Sequence, residues 1–112
     1  MTRDEVMAYC LAKPGAWRDE PWEGDVVAKV GEKIFAFTGD GSVGLKLGAS
    51  REEADEWLRR YPGDATVMAY LGRFGWNTLR IDGAIDGEEI LEAIDRSYAA
   101  VVGKLPKAQR PG

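Results

Sequence analysis

The chain has 112 residues, 45% of them apolar and 30% charged, with 15 basic against 19 acidic side chains and a net charge of −4. That length fits one domain with one modest core, and the composition is that of a globular chain, neither disordered nor fibrous. With no histidine and a single cysteine, Cys10, it lacks the means for disulfides, Cys–His dyads, Ser–His triads and nearly all zinc sites.

Charges of both signs in Met1–Glu5 are unlike a signal peptide, and no apolar run approaches the ~20 residues of a membrane helix, so a cytoplasmic location is expected. A first helix begins at Thr2, whose hydroxyl stands three residues before Glu5 in a capping box. Val6 with Cys10 and Met7 with Leu11 fall one turn apart, and Pro14-Gly15 ends the helix near Lys13. Within that stripe Cys10 reads as a small core hydrophobe.

A strand is expected near Trp17. Asp19, Glu20, Glu23 and Asp25 then crowd around Trp22, but they lack the loop geometry of a calcium site and read as solvated charge, so no metal and no cofactor is expected. Strands follow at Val26–Val30, Ile34–Thr38 and Val43–Leu47, where the period changes to two. Gly31-Glu32 and Asp40-Gly41 supply the residues of tight hairpin turns.

Ser50 and Glu53 form a second capping signature, followed by Ala54, Trp57, Leu58 and Tyr61 on one face, and Pro62-Gly63 stops that helix. Two more strands are expected at Val67–Leu71 and Trp76–Ile81. A third capping signature, Asp86 to Glu89, opens a helix with the stripe Ile90, Leu91, Ile94, Tyr98, Val101 and Leu105. Residues 106–112 lack a large apolar side chain and are expected to form a flexible basic tail beyond a domain of residues 1–105. The predicted fold is therefore α+β, an antiparallel sheet of about five or six strands with three helices packed on one side and helices near both termini.

Gly72–Gly83 is a mid-chain stretch in which basic residues outnumber acids, and it also carries Trp76. In a strand from Trp76 to Ile81, Trp76, Thr78 and Arg80 share one face and Asn77, Leu79 and Ile81 the other. If the second set meets the helices, Trp76, Arg80, Arg73 and Lys46 form an outward platform where an aromatic ring stacks on a base and cations meet phosphates. The competing reading buries Trp76 and leaves the arginines solvated. The net charge weakens any general affinity for a polyanion, although Arg96, Lys104, Lys107 and Arg110 lie in a stretch without acids. A different class of function, protein interaction or homodimerisation, is suggested by Trp17 and Trp22 on a charged loop or edge strand. No catalytic residue and no deep polar pocket is expected.

Several segments resemble the MmcQ/YjbR-like domains, small bacterial proteins with a frataxin-like α+β fold. They are Lys13-Pro14-Gly15-Ala16, the hairpin Lys29–Ala36, Gly44-Leu45-Lys46-Leu47, Tyr61-Pro62-Gly63, Gly75-Trp76-Asn77-Thr78, Asp82-Gly83, Ile94–Tyr98 and Lys104-Leu105-Pro106-Lys107. The resemblance covers nearly the whole chain and implies a non-enzymatic domain of DNA-binding type. Members often have a histidine and a basic pair before the Trp-Asn-Thr element, whereas here Arg73 is followed by Phe74 and Gly75, so a role for that histidine does not carry over. The nucleic-acid-binding candidates are Lys46, Arg73, Trp76, Asn77 and Arg80, and the protein-interaction candidates are Trp17 and Trp22.

Overall fold

A computed structural model describes residues 1–111 of the chain. The two sequence periods resolve into helices α1 (Arg3–Leu11), α2 (Arg51–Arg60) and α3 (Gly87–Val102) and strands β1 (Ala16–Trp22), β2 (Asp25–Val30), β3 (Lys33–Gly39), β4 (Ser42–Lys46), β5 (Ala65–Val67) and β6 (Trp76–Arg80). Single turns of 3-10 helix lie at Gly72–Phe74 and Lys107–Gln109.

Two-residue turns at Glu23-Gly24, Gly31-Glu32 and Asp40-Gly41 fold β1 to β4 into a meander, each turn using a glycine at positive φ. After α2 the chain returns as β5 and β6, and β6 inserts beside β4. The result is one antiparallel sheet in the order β1-β2-β3-β4-β6-β5.

One face of this sheet is apolar because alternate residues point to it, and Val30, Ala36, Val43, Leu45 and Leu79 there are fully buried. Against them pack Ile90, Ile94 and Val101 of α3, Val6 and Cys10 of α1, and Ala54 and Trp57 of α2. Burial pushes the Cys10 thiol up to about 12, which makes it a core side chain with almost no thiolate at neutral pH. Asp95 pins α1 to α3 by accepting a hydrogen bond from the Tyr9 hydroxyl at 2.9 Å and pairing with the Lys13 ammonium. The α+β class, the six antiparallel strands and the three helices agree with the sequence reading.

Three expectations are corrected. The Thr2–Glu5 capping box closes in both directions, but Ser50 and Asp86 occupy N-cap positions without a side-chain bond. Glu52, Glu53, Glu88 and Glu89 still place negative charge at the positive ends of those helix dipoles. The fifth strand spans Ala65–Val67 instead of Val67–Leu71, because Tyr70 takes φ +64° and the Leu71 N–H closes onto the Ala69 carbonyl at 2.7 Å, turning the chain out of the sheet. Residues 106–111, expected to be free, lie back on the domain: the Arg110 guanidinium donates to the Leu105 and Gly103 carbonyls, and the Gln109 amide oxygen accepts from the Glu32 N–H. Residue 112 lies outside the described residues. No helix of the described residues is long and apolar enough to cross a membrane.

Candidate functional site

The face of the sheet away from the helices is shaped by two register shifts, one in β1 between Asp19 and Trp22 and one in β3. Lys29 pairs with Ile34 and Ala28 with Ala36, so Phe35 is an extra residue in β3. The bulge turns Phe35 to the helix side, edge-on to Tyr98 at 5.2 Å, and leaves both Ile34 and Phe37 on the open side. Beside them Trp76 meets Phe37 edge-to-face at 5.5 Å and stands opposite Lys46 in the β4–β6 register. Ile34, Phe37 and Trp76 floor a groove of about 560 Å³, walled by Leu71 and Phe74 of the β5–β6 connection and Pro21 and Trp22 of β1, and it continues past the end of the β3–β4 ladder to Val101 and Lys104 of the helix layer. The sheet face expected to be an outward platform is concave here.

The wall formed by the β5–β6 connection is held from behind. Arg51, at the start of α2, donates to the carbonyls of Gly72 at 2.8 Å and Trp76 at 3.2 Å, to the Asn77 side-chain oxygen, and to Asp55 at 2.7 Å. The Asn77 amide nitrogen donates in turn to the Ala54 carbonyl at 2.8 Å. Gly75 makes the approach feasible: at φ +88° a Cβ there would lie 2.1 Å from the Gly48 carbonyl oxygen. Asn77 was a candidate for nucleic-acid contact, but it is fully buried on the helix side with its amide occupied at both ends. It is a structural clamp.

Lys46 owes its position to Ser97. The β3–β4 ladder stops at Ala36 and Leu45, and at the next step the Ser97 hydroxyl intervenes, accepting from the Lys46 N–H at 2.9 Å and donating to the Phe35 carbonyl at 2.6 Å. The side chain of Lys46 then runs between the groove and a second hollow lined by Glu53, Arg96 and Lys104. Only 5% of the residue is exposed. Its ammonium donates to the Phe74 carbonyl at 2.5 Å, and no carboxylate among the described residues lies within 4.0 Å of it. Burial, then repulsion from Lys104, lowers its pKa below the usual 10.5, with a smaller opposing effect from Glu53.

Of the residues singled out in the sequence, Lys46, Trp76 and Trp22 come together in this groove. Arg73 stays outside it, its guanidinium stacked 4.7 Å from the centre of the Phe74 ring. Arg80 lies four residues along β6 from Trp76, a separation of about 13 Å at the rise of an extended strand. There it is balanced by Asp82 at 3.1 Å and Asp64 at 3.9 Å. The expected platform is therefore split, with one arginine in a separate acidic surround, and Trp76 is buried at 8% exposure, as the competing reading held, with only part of its ring at the groove.

Trp17 is pinned by its indole N–H to the Gly31 carbonyl at 2.9 Å, with the Lys29 ammonium 5.0 Å from its ring centre, whereas Trp22 is 59% exposed. The nearby carboxylates are also occupied, Asp19 by Lys29 at 2.8 Å and Glu20 by the Gly24 N–H at 3.1 Å. Among the described residues no three His, Cys, Asp or Glu side chains gather as metal ligands. Lys29, Lys33 and Phe37 line the groove without having been singled out, and Lys104 was noticed only as part of a basic run. Their signal was the hairpin Lys29–Ala36 together with Lys104, pieces that the sequence separates and the fold joins.

Comparison with known proteins bears on the whole fold. A family model described as YjbR matches residues 11–100. The chain is 31% identical to the YjbR protein of Escherichia coli (strain K12), covering 98% of this chain and 95% of the relative. A Deinococcus radiodurans crystal structure with a DUF419 domain superposes with a TM-score of 0.84 at 25% identity, covering 97% of this chain and 85% of that one. A Pseudomonas syringae protein superposes with a TM-score of 0.71 at 22% identity, over 89% of this chain and 98% of that one, a likeness of fold.

Proposed function

Since the chain belongs to the YjbR family, we propose that it is a cytoplasmic binding domain that makes and breaks no bonds and engages single-stranded nucleic acid in the groove on the open sheet face. One observation carries this reading. An apolar floor of Ile34, Phe37 and Trp76 is bordered by Lys33, Lys46 and Lys104 against a single lining acid, Glu32, with Lys29 beside them already paired to Asp19. Stacking of an unpaired base on an aromatic side chain contributes about 1–3 kcal/mol, and lysines beside the stack neutralise the flanking phosphates. A chain of net charge −4 can bind a polyanion only by concentrating its cations, and it does so here.

The contact set drops Arg73, Asn77 and Arg80, adds Lys33 and Lys104, and keeps Lys46 and Trp76. A titration of a fluorescently labelled single strand at low salt is expected to saturate and to weaken steeply as salt is added. Lys33→Glu combined with Lys104→Glu is expected to weaken it about tenfold or more. Absence of saturable binding to single strands and to duplex at low salt rejects the nucleic-acid ligand.

The exposed Trp22 supports a second reading, a protein interface. It sits at the end of β1, an edge strand with a partner on one side only. Binding of that kind is expected to be lost in Trp22→Ala and to be much less sensitive to salt.

A further inference from the structure

A buried ammonium normally has a carboxylate beside it or surrenders its charge, because an unpaired charge away from water is costly. Lys46 has one backbone acceptor for three N–H donors and no carboxylate within 4.0 Å among the described residues, and after burial the largest effect on its charge is the repulsion of Lys104, ahead of the opposing attraction of Glu53. Both side chains line the groove and also the hollow behind it. Two cations thus converge on one wall, with the donors of the buried one only partly used. The fold spends effort to hold this arrangement: Ser97 interrupts the β3–β4 ladder at Lys46 itself.

We propose that Lys46 and Lys104 form an oxyanion site at the inner wall of the groove, and that its ligand is a small molecule carrying one carboxylate or phosphate on a flat apolar body. The anion supplies the missing acceptors and relieves the lysine–lysine repulsion, while the flat body lies on Trp76 and Phe37. The groove, at about 560 Å³, falls within the range of roughly 300–1,000 Å³ typical of small-molecule sites. A lysine presents a point charge without a planar fork, so the site selects negative charge near an apolar ring more than it selects carboxylate over phosphate. The inference rests on the reading of the groove as a ligand site, and does not depend on that ligand being nucleic acid.

The test uses the intact chain with phenyl phosphate and indole-3-carboxylate as separate probes, and inorganic phosphate and indole as controls. Binding is followed by calorimetry and by the indole N–H resonance of Trp76, identified by its loss in Trp76→Phe. At least one probe is expected to saturate and to shift that resonance, with each control about tenfold weaker or more. Lys46→Met is expected to lower affinity for the probe about tenfold or more while the thermal midpoint is kept or raised. Lys104→Met, an exposed replacement that leaves the fold intact, is expected to lower it severalfold.

Failure of both probes to saturate overturns the site, and so does unchanged affinity in Lys46→Met together with Lys104→Met. The two readings separate cleanly. Probe binding without strand binding removes the nucleic-acid ligand and keeps the oxyanion site. Strand binding that survives Lys46→Met, with no response to either probe, does the reverse.

Discussion

Lys46 and Arg51 stand on opposite sides of the same short connection between β5 and β6, and they treat it differently. Arg51 directs its guanidinium to two backbone carbonyls, the Asn77 amide and the Asp55 carboxylate, so its donors are consumed within the fold. Lys46 reaches one carbonyl of that connection, Phe74, and turns the rest of its charge toward a groove. Arginine suits the first task because its planar fork satisfies several fixed acceptors at once, and lysine suits the second because its charge is compact. A cation whose partners are all internal stabilises a wall; one left short of partners beside a cavity is the feature on which the proposed oxyanion site rests.

The largest effect is expected on the Arg51 side. Arg51→Ala leaves the Asn77 side-chain oxygen without a donor and takes the second donor from the Gly72 and Trp76 carbonyls, which keep the Gly75 and Met68 N–H groups, and should cost about 3 kcal/mol in urea denaturation. Asn77→Leu should cost about 2 kcal/mol, and the double variant less than the two losses added, since both remove one network. A loss under about 1 kcal/mol for Arg51→Ala would erase the contrast with Lys46.

Lys46→Met should move stability the other way or hardly at all, because it removes a charge that burial penalises. Its pH dependence sharpens the point. The folded pKa of Lys46 lies below the usual 10.5, so the unfolded chain holds that proton longer as pH rises. The cost of the charged group is therefore present below the folded pKa and is shed as pH climbs from there toward 10.5. Any advantage of Lys46→Met in thermal midpoint should shrink across that window, and an advantage that grows instead would show that Lys46 is paired after all.

Arg80 supplies the smallest effect. Its side chain is 57% exposed and its partners are surface acids, so Arg80→Gln should change stability by no more than about 0.5 kcal/mol. It should also leave strand affinity nearly unchanged, where Lys33→Glu reduces it. Comparable losses from both would return Arg80 to the binding surface.

Most of the architecture was legible in the residues themselves. Two-residue turns with glycine fix the meander, period two separates strand faces, and the stripes of α2 and α3 announce their buried sides. Capping was less legible. A Ser or Asp three residues before a Glu permits a box, but closure depends on how the preceding chain enters the helix, and only Thr2 is placed to close it. Gly75-Trp76-Asn77-Thr78 was correctly marked as special, yet for a different reason than ligand contact: Gly75 permits close approach to Gly48, Asn77 ties β6 to α2, and Trp76 alone faces the groove.

By itself the sequence determined the fold class, the antiparallel meander, the buried stripes and the alternation that puts Trp76 and Asn77 on opposite faces of β6, because each follows from local geometry and the cost of exposing apolar surface. Only the tertiary structure decided which cations matter. Arg80 and Lys46 look alike in a string of letters, and what separates them is that Asp64 and Asp82 surround the first, while a bulge at Phe35, the Ser97 hydroxyl and the end of α3 bury the second beside Lys104. Charge becomes informative through burial and partnership, and both depend on residues far apart in the chain.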